Sequence, residues 1–171
     1  MFINSQSGAV VNLPEVQSFI MMLTTANPLL TFFTLAAFVV LVQSAIPMLF
    51  IAINLFAQQA IPFEYMMIII YGIHLGNASR AYIFSMGLEG VSKKIFMFQT
   101  LFGVIVALLF LFIYYLETFL GTHFVKNLIL SLSITPAMTV LNLILFIEMI
   151  VATISMLLSK PLSSWITRLY T

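Results

Sequence analysis

An all-α, polytopic membrane protein is the fold this sequence predicts, and three observations carry the prediction. Hydrophobic residues fill 63% of the 171 positions and charged residues only 6%, whereas soluble domains are roughly half apolar and a quarter charged. Mean hydropathy is +1.18. Four stretches about as long as a bilayer crossing pass with almost no charge, over residues 29–57, 63–86, 95–116 and 137–159. Six Lys and Arg against five Glu leave a net charge of +1, too little for the electrostatic footprint of a nucleic-acid binder. The expected surrounding is therefore a lipid bilayer and nucleic acid is not an expected partner. With no Cys in the chain, there is no disulfide framework, thiolate metal site or cysteine nucleophile.

The elements follow in chain order. Residues 13–26 are short, mixed in polarity and bounded by Pro14 and Pro28, so residues 1–26 are expected to lie at the membrane interface. The first 28 residues lack a basic leader, and a cleavable signal peptide is not expected. Residues 29–57 carry no charge but would make a straight helix roughly 43 Å long, too long for one untilted crossing. They are interrupted by Gln43-Ser44-Ala45-Ile46-Pro47, which predicts a re-entrant hairpin with its tip there. Residues 63–86 contain Glu64 and Arg80 and are expected to break at 72–79, the run Gly-Ile-His-Leu-Gly-Asn-Ala-Ser. Residues 95–116 and 137–159 read as unbroken spans, the second opening just after Pro136, a residue suited to a first helical turn. Lys93 and Lys94 precede the third span, and Lys160 and Arg168 follow the fourth, which puts both sets on the cytoplasmic side. Lys126 stands alone in the opposite loop.

Unwound backbone within hydrocarbon costs several kcal/mol per unpaired group unless it lines a cavity or is buried in protein. The expected breaks therefore point at a site, and each polar residue there also has a plainer reading. Gln43, Ser44 and Pro47 could open a half-helix whose N–H groups face an anion, or make a kink whose polar groups bond a neighbouring helix. Gly72 and Gly76 could permit an unwound turn with Asn77 and Ser79 pairing the freed backbone; Gly-x-x-x-Gly is equally the signature of close helix packing. His74 could donate to an anion or be a hydrogen-bonded packing residue. Arg80, a guanidinium within an apolar region, could hold an oxyanion bidentately, supply a fixed positive charge in place of a cation, or snorkel to the interface. Glu148 is the opposite charge deep in an apolar run, so a Glu148–Arg80 contact is expected.

The order of these interruptions resembles the sodium/phosphate cotransporter family, over residues 27–171. That family's repeat runs Asn-Pro before a helix, a Gln-Ser-Ser-Ser-Ala signature, an apolar half-helix, a Gly-Ala-Asn-Ile-Gly-Thr-Thr turn, and two later His-containing elements that end in Phe-Asn. Here Asn27-Pro28 is followed by Gln43-Ser44-Ala45 and then by Gly72-Ile73-His74-Leu75-Gly76-Asn77-Ala78. Gln99-Thr100-Leu101-Phe102-Gly103 and a stretch from Ile134 to Asn142 fall where the later elements would lie. Several polar positions depart from the pattern: Ala45, Ile46 and Pro47 replace expected small or hydroxyl residues, and Gln99 and Met138 replace His.

The resemblance implies one transmembrane repeat, residues 27–171, of an inverted-repeat transporter in the plasma membrane, the inner membrane of a bacterium. It implies sodium-coupled movement of inorganic phosphate or another small anion by alternating access. Because a typical member holds two repeats, a homodimer or a second half is the implied partner. Gln43, Ser44, Gly72, His74, Gly76, Asn77, Ser79, Arg80, Gln99 and Asn142 are the implied substrate and ion residues, with Gln43 and Ser44 also the sodium candidates. No organic cofactor is implied. A non-transporting membrane scaffold or regulatory subunit derived from the family is the rival reading. An enzyme is not expected, since two His, five Glu and no Asp or Cys assemble no nucleophile, base and acid.

Overall fold

The computed structural model describes Ser18 and residues 27–169, with side chains to residue 158; residues 1–26, the expected interfacial segment, lie outside the described residues apart from Ser18. Among the described residues six α-helices run in the order α1 (Pro28–Val42), α2 (Ile46–Ala57), α3 (Phe63–Met86), α4 (Gly90–Leu120), α5 (Phe124–Ser131) and α6 (Pro136–Leu169).

α1 starts as its sequence suggests. Asn27 Oδ1 accepts the Leu29 N–H at 3.0 Å and Pro28 occupies the first turn, a capping pair that satisfies one orphan donor and costs none. The helix stops at Gln43, whose backbone is left-handed (φ 58°, ψ 19°). That conformation normally falls to glycine; here the Gln43 side chain donates from Nε2 to the Val40 carbonyl at 2.6 Å and closes the end of its own helix. Pro47 then stands in the first turn of α2.

The chain reverses at this break. Along α1, Phe32 abuts Gly72, Ala36 and Val39 abut Gly76, and Gln43 meets Arg80, so α1 runs parallel to α3. Leu49, early in α2, shares a cavity wall with Ile73 and Asn77, while Phe56 near its end stacks edge-on to Phe63, so α2 runs antiparallel. The two short helices are thus the arms of a hairpin with its tip at residues 43–45, as expected.

The expected second break is corrected by the structure. α3 is helical without interruption from Phe63 to Met86, and its glycines serve contact instead of unwinding. A Cβ on Gly72 would lie 2.6 Å from the Phe32 carbonyl oxygen, and one on Gly76 would lie 2.6 Å from Val39 Cβ and 2.8 Å from the Ala36 oxygen. The glycines therefore admit the backbone of α1 as in other small-residue helix pairs. Ser79 bonds back to the Leu75 carbonyl at 2.9 Å, a local partner that leaves the helix intact.

α3 is the central element: Met66, Ile68, Ile70, Tyr71 and Ile73 are all essentially inaccessible. α4 returns antiparallel to it through a turn in which Gly90 takes φ +61°. Tyr71 stacks on Phe110 with centroids 5.1 Å apart, and Gly103 lies against Ala78. α4 ends at Gly121 in a left-handed cap (φ 66°). α5 breaks up a stretch expected to be loop. It is fastened by the Val125 N–H to Glu117 Oε1 (2.8 Å) and by Lys126 Nζ to Glu64 Oε1 (2.6 Å), so the isolated loop cation has a partner on α3.

α6 opens at Pro136 and continues past the expected end at residue 159. Gly90–Leu120 and Pro136–Leu158 are long and apolar enough to cross a membrane. Only 33% and 17% of their most apolar windows are buried within the molecule, so these helices present most of their apolar surface outward.

Candidate functional site

Three helix faces line an open cavity of ≈ 400 Å³. α3 contributes His74, Asn77, Ala81 and Phe84, α4 contributes Phe96, Gln99 and Gly103, and α6 contributes Glu148 and Val151. The spacings i, i+3, i+7 and i+10 on α3, and i, i+3 and i+7 on α4, are those of one side of a helix. Gly103 draws α4 onto Ala78, since a Cβ there would fall 2.6 Å from that of Ala78. A smaller cavity of ≈ 40 Å³ adjoins His74, Asn77 and Glu148 on the side of Leu49 in α2.

Arg80 belongs to the same lining but sits at its margin. At roughly 100° per residue, Gly72 and Gly76 mark one face of α3, the cavity residues mark the far face, and position 80 falls between them. Its guanidinium can therefore reach both sides. Nη1 donates to the Gln43 carbonyl oxygen at 2.8 Å, which satisfies a carbonyl at the end of α1 and sets a cation at the negative pole of that helix. One of five N–H donors is so used.

His74 Nδ1 lies 3.6 Å from Glu148 Oε1, the His side chain 14% exposed and the Glu side chain 59%. The expected Glu148–Arg80 contact is replaced by this one. On the other side of the ring, His74 Nε2 is buried with no hydrogen-bond partner among the described residues, as is Asn77 Oδ1. The Tyr71 hydroxyl oxygen, away from the cavity, is unpaired in the same way.

Of the residues named from sequence, His74, Asn77, Arg80 and Gln99 meet at this cavity. The others stand elsewhere. Gly72, Gly76 and Ser79 lie on the α1 side of α3 or bond within it. Asn142 donates to the Leu132 carbonyl (2.9 Å) and Ser133 Oγ (3.0 Å) and secures the turn into α6. Gln43 and Ser44 form the hairpin tip, and neither lines either cavity. At the tip the Gln43 carbonyl accepts from a guanidinium and its side-chain N–H closes its own helix. The lining roles of Glu148, Gly103, Phe84 and Phe96 were not foreseen, although the shared helical spacing with His74 and Gln99 carries the signal for the latter three.

Comparison with protein-family profiles, with curated proteins and with solved structures returns no match to this chain. The class that fold and site define is, among the described residues, a helical protein with two membrane-length apolar helices and a cavity of mixed polar and apolar lining among α3, α4 and α6.

Proposed function

We propose that the chain is an integral membrane protein that binds a small inorganic oxyanion, phosphate in the first instance, as one half of a permease completed by a second copy or a second half. The observation that carries this reading is the convergence of Arg80, His74, Asn77 and Gln99 on one cavity of ≈ 400 Å³. A guanidinium and side-chain amides in a low-dielectric setting are the groups that compensate an oxyanion's lost hydration. The resemblance to sodium/phosphate cotransporters supplies phosphate as the first substrate to try, and the outward apolar faces of α4 and α6 support a bilayer setting. Sodium coupling is not carried forward, because Arg80 already places a fixed positive charge on the carbonyl at the hairpin break.

Radiolabelled phosphate uptake into proteoliposomes tests the reading, with and without a sodium gradient and with Arg80→Ala beside the wild type. Uptake that persists without sodium and is abolished in the variant is the expected result. The unbroken α3, its glycines committed to packing, favours the second reading, a non-transporting scaffold. Folded wild-type protein that takes up no phosphate under either condition would favour it.

A further inference from the structure

We infer that the cavity accepts a phosphate ester that also carries an ammonium group, an aminoethyl phosphate, with its oxyanion at Arg80 and Gln99 and its ammonium at Glu148. The inference rests on the oxyanion reading given above and names the class of oxyanion. Arg80 and Glu148 line the same cavity of ≈ 400 Å³, yet they are not paired with each other. The Arg80 guanidinium donates to the Gln43 carbonyl at 2.8 Å, and the Glu148 carboxylate faces His74 Nδ1 at 3.6 Å, longer than a hydrogen bond. The Glu148 side chain is 59% exposed, Gln99 is exposed and Arg80 half-buried, so all three are open to a guest in the cavity. An oxyanion without a second charge meets attraction at Arg80 and repulsion at Glu148. A guest that bears both signs turns the second into attraction.

The order of the groups along α3 fits one orientation of that guest. Glu148 stands beside His74; Arg80 follows His74 by six residues, roughly 9 Å along the helix, and Phe84 follows by four more. α4 runs antiparallel with Gly103 against Ala78, which brings Gln99 near the level of Arg80 and Phe96 near that of Phe84. From the Glu148 end the lining thus reads carboxylate, then guanidinium and amide, then two phenyl rings, of which Phe84 is 56% exposed. An ester of phosphate with ethanolamine carries its groups in the same sequence: ammonium, phosphate, and then any second substituent, for which the rings supply an apolar exit. The volume stands near the lower end of ligand pockets, which run from about 300 Å³ upward, enough for such a group and short of a whole lipid. Free phosphoethanolamine and the head group of an ethanolamine phospholipid share this chemistry.

Calorimetric titration of the full chain in maltoside detergent compares phosphoethanolamine with n-propyl phosphate, which has the same shape and lacks the ammonium. The wild type is expected to bind phosphoethanolamine at least about tenfold more tightly than the propyl ester. Glu148→Gln, a change at an exposed side chain, is expected to bind both esters and to lose the preference, while Arg80→Gln weakens both. Equal binding of the two esters by the wild type, or a preference that survives in Glu148→Gln, would overturn the inference and leave the oxyanion site standing. Failure of both esters and of inorganic phosphate to bind folded wild-type protein would overturn the oxyanion reading and this inference with it. Short-chain phosphatidylethanolamine added as a competitor separates the two sources: displacement of bound phosphoethanolamine supports the lipid head group as occupant, and undiminished binding supports the free ester.

Discussion

Arg80 sits where a helical wheel puts it between two jobs, and both depend on one residue of register. A shift by one position would carry it onto the face that packs against α1 or deeper into the cavity wall. Its polar environment was legible as a charge inside an apolar run, and so were His74, Asn77 and Gln99. The direction of each side chain was not, because direction follows from which neighbour lies on which face. The carboxylate of Glu148 is a case in point: sequence offers Arg80 as its opposite charge, whereas the register of α6 against α3 delivers it to His74. A double-mutant cycle separates the two. His74→Gln with Glu148→Gln is expected to show coupling of about 0.5–1 kcal/mol in thermal melts near pH 5, while Arg80→Gln with Glu148→Gln is expected to be additive within about 0.3–0.5 kcal/mol. Coupling in the second pair and none in the first would reverse the assignment.

At the scale of the element, the first break was legible and the second was not, for a physical reason. Pro47, the Gln-Ser pair and an apolar length beyond one crossing all pull the same way, so the hairpin of α1 and α2 could be anticipated. Gly72-x-x-x-Gly76 carries two meanings that differ only in what lies opposite, and the Phe32 and Ala36 carbonyls of α1 decide it. The eight-residue α5 is too short for a periodic signal to rise above its loop surroundings. If the glycines are packing surfaces, Gly72→Ala and Gly76→Ala should each cost about 1–3 kcal/mol by forcing α1 away from α3. Gly87→Ala is the control, since a Cβ there meets only the Phe84 oxygen at 3.9 Å. Thermal unfolding in detergent reads the difference; equal stability of all three variants would refute the packing role.

For the whole molecule, the arrangement is a buried central helix, α3, flanked by a hairpin too short to cross a bilayer on either arm and by two helices long enough to do so. Arms of 15 and 12 residues reach roughly 22 and 18 Å, against a hydrocarbon core of about 30 Å. Neither arm is long enough to cross alone, and the tip at Gln43 carries the Arg80 guanidinium. Composition alone raises the bilayer expectation, through 63% hydrophobic residues against 6% charged ones. It gives no access to the cavity, which exists only where three helix faces meet. The central claim is that this cavity, with Arg80 as its cation, holds an oxyanion. The most direct test is calorimetric titration of inorganic phosphate into the full chain in nanodiscs, with Arg80→Gln, Asn77→Ala and Gln43→Ala alongside. The account predicts binding in the wild type and in Gln43→Ala, whose lost amide lies outside the cavity, and binding weakened at least about tenfold in the other two. Phosphate binding unaffected by Arg80→Gln and Asn77→Ala, or its absence from folded wild-type protein, would contradict it.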